Sequence, residues 1–174
     1  PVSDGAAAIV ITNKPPTSSR KISVAASTSA TDTISMQNRA NPLRLRAAEN
    51  SCQRAYKQAG ISAQEIDLFE YHDAFSIMAA LSLEAAGFCD PGQAPKLANE
   101  GGITIEGQIP VATMGGLKAR GHPVGATGLY QLVELTLQLR CEAGKTQVKD
   151  ARWGLAQNIG GSGSNIVTHI LHQE

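Results

Sequence analysis

Residues 111–128 place five glycines, one proline and one histidine between an apolar run and a long amphipathic pattern. Such a stretch cannot continue as a regular strand or a regular helix. Glycine admits positive φ and close backbone approach, whereas Pro123 fixes its own φ and biases His122 toward an extended backbone. The stretch therefore forces a rigid loop at a strand-to-helix junction, with a titratable imidazole in it. α/β proteins place their chemistry at such junctions. A plain helix-entry loop with an exposed histidine satisfies the same spacing.

The flanking pattern sets the rest of the expectation. Ala6 to Ile11, after Ser3-Asp4-Gly5, read as a buried strand, and residues 13–20, with Pro15-Pro16, as a linker. Residues 21–27 regain strand character, and residues 28–39 read as a long connection. A first helix is expected from Asn41-Pro42, with an apolar stripe through Leu45, Ala48, Cys52, Ala55, Tyr56 and Ala59, stopped by Gly60. Ser62-Ala63-Gln64-Glu65 has the form of a capping box. A strand over 66–71 runs into His72-Asp73-Ala74-Phe75, with Asp73 as the expected cap of a second helix ending at Gly87. Residues 90–107 read as a surface excursion. A third helix carries Leu129, Leu132, Val133, Leu135, Thr136 and Leu139 and closes at Gly144. Two strands, 152–156 and 164–171, follow, separated by a glycine-rich turn over 157–163. Strands that alternate with helices and then pair with each other predict a layered α/β domain with a mixed sheet.

Composition narrows the function classes. The 15 basic residues balance the 15 acidic ones, and aromatic residues are only 4%, so neither nucleic acid nor an anionic membrane surface is an expected partner. No apolar run is long enough to span a bilayer, and the N-terminus lacks both the signal-peptide order and an initiator methionine, as a trimmed piece would. Cys52, Cys89 and Cys141 are odd in number and widely spaced, with no metal-site spacing. They read as reduced thiols of a cytoplasmic protein, Cys52 and Cys141 buried in helices.

Three loops follow strand candidates: His72-Asp73-Ala74-Phe75, Gly121-His122-Pro123 and Asn158-Ile159-Gly160-Gly161. Loops at like ends of a sheet converge on one crevice. Two histidines with a glycine-rich turn there offer an acid/base group and backbone N–H donors, suited to negative charge developing on oxygen or carbon. Each residue also has a plainer role: His72 and Asp73 as caps, His169 inside a strand, His172 in the tail.

Taken together, His72-Asp73-Ala74-Phe75, Gly115-Gly116 with Gly121-His122-Pro123-Val124-Gly125-Ala126-Thr127-Gly128, and Asn158-Ile159-Gly160-Gly161 resemble the C-terminal half of thiolases. The likeness is nearest to archaeal acetoacetyl-CoA thiolases and sterol-carrier-protein-type thiolases. It implies a layered thiolase-like fold with helices on both faces of a mixed sheet. It further implies that residues 1–20 are the tail end of an N-terminal half plus linker, and residues 21–174 the C-terminal domain. The chemistry implied is acyl transfer between a coenzyme A thioester and CoA, by Claisen condensation or thiolysis, with no bound cofactor and no metal. His122 would activate a cysteine and help bind the thioester oxygen. His72 stands where many thiolases hold a water through asparagine, and the Gly160 N–H would serve a second oxyanion hole. Asn158, Phe75 and Gly161 would line the substrate.

The nucleophilic cysteine of the family lies in an N-terminal half absent from this chain. The expected partners are therefore that half, in the same or a separate chain, and a homo-oligomer when complete. Asn158 and Ala74 occupy positions where relatives carry a second cysteine. Ala112, Met114 and Gln157 replace residues common in relatives: an asparagine, a serine and a histidine. These departures keep two other readings open, a non-catalytic acyl-CoA or lipid-binding module and a thiolase-like aldolase subunit.

Overall fold

Alternating apolar residues near the end of the chain pair as an antiparallel hairpin of β3 (Trp153–Gly160) and β4 (Asn165–Gln173). The structure, a computed structural model, describes residues 2–14 and 20–174; the expected linker at Pro15-Pro16 lies outside them. β1 (Ile22–Thr31) joins β4 antiparallel, and β2 (Leu68–Glu70) joins β3 parallel, giving the mixed order β1-β4-β3-β2. In this register Ala26, Ile170, Leu155 and Phe69 stand side by side in one buried row. α1 (Arg46–Ala59) and α2 (Ser76–Ala85) cover that row with Cys52, Ala55 and Leu83. On the opposite face Leu68, Ala156 and Leu171 pack against Leu135 and Leu139 of α5 (Thr127–Leu139). Side chains alternate across a strand, so one sheet serves two cores. Each fully buried Leu, Ile or Phe contributes about 1.5–3 kcal/mol of transfer free energy. The expected layered α/β fold with helices on both faces is present.

Several local expectations are corrected. Residues 6–11 form no strand, and Val10 and Ile11 are 93% and 77% exposed. An apolar run becomes a strand only when a neighbour takes its backbone hydrogen bonds, and this one has none among the described residues. The first helix starts at Arg46; Asn41 instead accepts the Leu43 N–H in a turn ahead of it. β1 runs on to Thr31, and a short 3₁₀ turn, Met36–Asn38, follows it in the expected connection. The excursion over 90–107 contains α3 (Ala94–Asn99), and Val111 makes only an isolated bridge to Phe69. α5 ends at Leu139, leaving Cys141 exposed and Gly144 in a separate 3₁₀ turn. β3 runs through 157–160, so the turn begins only at Gly161, and His172 lies within β4, stacked on Trp153.

Ala112 adopts φ +42°, in the left-handed region where an alanine side chain is disfavoured. It is held there by Ala112 N–H donating to Phe69 O at 3.0 Å and Gly115 N–H donating to Ala112 O at 2.7 Å. Asparagine visits this region routinely. Ala112→Asn is therefore expected to raise stability in urea unfolding by a fraction of the roughly 1–2 kcal/mol that a left-handed L-residue carries, since asparagine bears part of that cost too. A fall in stability would contradict it.

Candidate active site

β2 delivers His72 and Asp73 directly from the sheet. Asp73 does not cap α2, whose N-cap is Phe75; its Oδ1 accepts the Leu117 N–H at 2.8 Å and so caps α4 (Gly116–Arg120) from across the fold. That bond ties the His72 loop to the segment that ends at Gly121-His122. Gly116 makes the approach possible: its φ is +61°, and a Cβ there would sit 2.6 Å from Asp73 Oδ2.

His72 is only 8% exposed, and its Nδ1 lies 2.6 Å from Asn158 Oδ1 on β3. The Ile159 N–H also donates to Asn158 Oδ1 at 3.2 Å, which fixes that atom as the acceptor. His72 Nδ1 therefore carries the hydrogen, and Nε2 is the free lone pair. Gly128 lets α5 approach this pair, because a Cβ there would meet Asn158 Nδ2 at 2.8 Å.

The second imidazole is oriented by the same logic. His122 Nδ1 lies 2.7 Å from Thr127 Oγ1, whose hydroxyl donates to Pro123 O at 3.2 Å. Thr127 Oγ1 thus holds the His122 ring in place through Nδ1. The rings of His72 and His122 meet edge to face, centroids 4.9 Å apart. Burial is the leading cause that lowers both imidazole pKa values below the ordinary value; the Arg120 guanidinium adds to it at each ring. Both rings are thus held neutral near pH 7.

Thr127→Val removes the hydroxyl that holds Nδ1 while Pro123 O keeps the Ala126 and Thr127 N–H groups at 2.8 and 2.9 Å. Imidazole 15N NMR is expected to show His122 as the Nδ1–H tautomer in the natural chain and substantially as Nε2–H in the variant. An unchanged tautomer would show that Thr127 does not set it.

His72, His122, Asn158, Gly160, Gly161 and Phe75 all line one cleft of about 900 Å³. Leu43, Ile77, Met78 and Leu81 give it a largely apolar wall, and Phe75 is 69% exposed at its mouth. The three loops thus converge. None of the three cysteines lines this cleft, and Cys52 is buried on the inner face of α1, its thiol pushed up to about 12 by burial. Gln157 is fully buried, donating toward Ala48 O and Cys52 Sγ, so its replacement does not alter the cleft wall. Among the described residues no three His, Cys, Asp or Glu side chains gather as a metal-ligand set, and no helix is long and apolar enough to cross a membrane.

Sequence reasoning passed over Arg39, which bridges two loops. Its guanidinium donates to Thr33 O and to Ser162 O at 2.8 Å, pinning the turn beyond Gly160 and Gly161. No local pattern marks such a contact, because 123 residues separate the two partners.

The fold and cleft define a mixed-sheet α/β domain in which two neutral, oriented imidazoles, one beyond β2 and one beyond α4, meet beside the glycine turn that ends β3. A family model described as thiolase C-terminal domain-like matches residues 28–173, and the chain belongs to that family. It is 43% identical over 98% of its length to an acetyl-CoA acetyltransferase of Methanothermobacter thermautotrophicus, covering 45% of that protein. It is 38% identical to the Methanocaldococcus jannaschii acetyl-CoA acetyltransferase over 98% of this chain and 46% of that one. Human sterol carrier protein 2 is 36% identical over 97% of this chain and 32% of the relative. The chain thus spans less than half the length of these relatives. A solved Ltp2-ChsH2(DUF35) aldolase structure superposes with a TM-score of 0.79 over 87% of this chain and 39% of that one; at 20% identity this shows the shared fold.

Proposed function

We propose that this chain is the C-terminal half of an acetyl-CoA acetyltransferase-like thiolase and supplies the base and oxyanion-binding wall of a thioester site. The observation that carries the reading is His122, held through Nδ1 by Thr127 in the same cleft as His72, Asn158 and Gly160; in this reading Nδ1 carries the hydrogen and Nε2 is the base. A neutral imidazole can take the proton of a thiol, raising the thiolate fraction at neutral pH. His72, oriented by Asn158, accepts from a water that donates to the thioester oxygen, and the Gly160 N–H serves the acyl-enzyme oxyanion. Phe75, Asn158 and Gly161 contact the substrate, a CoA thioester, with no bound cofactor.

The nucleophilic cysteine comes from an N-terminal half, of which residues 1–20 are the tail, while residues 21–174 form the C-terminal domain. Two observations support a missing half. The relatives are more than twice as long as this chain. On α5, Leu129 and Val133 are only half-buried while Gln131, Glu134 and Gln138 face inward, which leaves apolar side chains on its outer face to be covered.

A second reading, a non-catalytic acyl-CoA-binding module, is favoured by the absence of any cysteine from the cleft lining. Assembly of this chain with a cysteine-bearing N-terminal half, followed by an assay of acetoacetyl-CoA thiolysis, separates the two. The thiolase reading expects turnover by the assembly and none by the chain alone. Calorimetric binding of acyl-CoA without turnover supports the module instead.

A further inference from the structure

Behind the two histidines lies a cluster of ionisable groups for which the chemistry above has no use. Glu70 ends β2, two residues before His72, and is 1% exposed; Glu134 lies within α5 and is 3% exposed. Glu70 Oε1 accepts the Thr113 N–H at 3.2 Å, and the side chains of Glu70 and Glu134 are within hydrogen-bonding reach of each other. Glu134 Oε1 accepts Arg120 Nε at 2.9 Å, two residues before His122. The Arg120 guanidinium also lies 4.8 Å from the centre of the Tyr130 ring.

The remaining oxygen of each acid, Glu70 Oε2 and Glu134 Oε2, is buried without a hydrogen-bond partner. Carboxylates only accept, so two of them cannot satisfy each other. A single proton between them satisfies both oxygens and leaves one negative charge opposite Arg120.

We propose that Glu70 and Glu134 share one proton, and that this pair, with Arg120, is the positioning device that locks the His72 and His122 segments together. It joins β2, the 111–115 loop through Thr113, the end of α4 and the middle of α5. The elements that carry both imidazoles thus meet at one buried bond. The proposal rests on the reading of these histidines as the reacting wall, yet its tests need no turnover, so failure of either reading leaves the other standing.

The charged and titratable groups facing Glu70 are Glu134 from α5, Arg120 from α4 and its chain neighbour Tyr71. Burial first, then Glu134, hold the Glu70 carboxyl well above the usual carboxylate range, and Arg120 opposes them only in part. With its folded pKa raised, the stability this group contributes is complete below about 4.3 and is lost as pH rises through the folded value.

The experiment compares the natural chain with Glu70→Gln, whose amide donates to Glu134 and accepts from Thr113 in the same geometry. Infrared spectroscopy near neutral pH is expected to show a buried protonated carboxyl in the natural chain that disappears in Glu70→Gln. In urea unfolding the folding constant of the natural chain is expected to fall, relative to Glu70→Gln, by up to about tenfold per pH unit above the ordinary glutamate range. The 15N resonances of His72 and His122 should be retained in Glu70→Gln and displaced in Glu70→Leu, which cannot bridge. No protonated carboxyl in the natural chain, or the same pH slope in both proteins, overturns the shared proton. Unmoved imidazole resonances in a folded Glu70→Leu overturn the positioning role; if that variant does not fold, displaced resonances in Glu70→Gln overturn it instead.

Discussion

Replacing His122 with alanine is expected to lower kcat for acetoacetyl-CoA thiolysis by the assembled enzyme by about 10²–10⁴-fold, the range a positioned general base contributes. The expected loss falls on kcat more than on KM, because proton transfer is made in the transition state and not in substrate binding. The ring is only partly buried and sits at the cleft, so its removal should leave the fold intact, as circular dichroism would confirm. The pH profile follows from the lowered imidazole pKa. Protonation removes the Nε2 lone pair, so the rate should hold through neutrality and fall on the acid side only below the ordinary histidine value of about 6.5. A variant that retains the natural rate would remove His122 from the chemistry.

Gly116→Ala should produce the largest structural effect. Its φ of +61° costs an L-residue about 1–2 kcal/mol. The new Cβ would also lie 2.6 and 2.7 Å from the two Asp73 carboxylate oxygens. The carboxylate cannot retreat freely, since Oδ1 holds the Leu117 N–H at 2.8 Å. Overpacking of this kind adds about 1–3 kcal/mol. Urea unfolding should therefore show a loss of a few kcal/mol, and activity should fall with it, because α4 leads directly into Gly121-His122. A change below about 0.5 kcal/mol, the scale of an ordinary surface substitution, would mean that the Asp73 cap does not tie the two histidine loops together.

What could be read in advance was what is local. Gly60 stops α1, Glu65 Oε2 accepts both the Ser62 N–H at 2.8 Å and the Ser62 hydroxyl at 2.9 Å in the capping box, and the final two strands pair as their alternation implies. The convergence of His72 and Gly160 was also legible, because they leave the parallel strands β2 and β3 at like ends; His122 reaches the same cleft from α4, with only an isolated bridge at Val111 before it. What escaped depends on distant partners. Asp73 is an acceptable cap for the helix that follows it, yet it caps one 44 residues away. On α5, hydrophobic periodicity points Leu129 and Val133 inward, but Gln131, Glu134 and Gln138 are buried because Gln157 O, Arg120 and Thr146 O wait for them. Residues 6–11 fail as a strand for the converse reason, since no neighbouring strand among the described residues takes their hydrogen bonds. The orientations of the two imidazoles were equally hidden, being set by single side-chain partners, Asn158 and Thr127.

The most direct measurement is the pH dependence of alkylation of the nucleophilic cysteine in the assembled enzyme, with His122 intact and with His122→Ala. If this chain supplies the base for a thiol held by the other half, alkylation in the natural assembly should be rapid near neutrality. In the variant it should slow and shift toward the ordinary thiol range near 8.5. Identical profiles in the two assemblies would contradict the idea that His122 activates the nucleophile across the two halves.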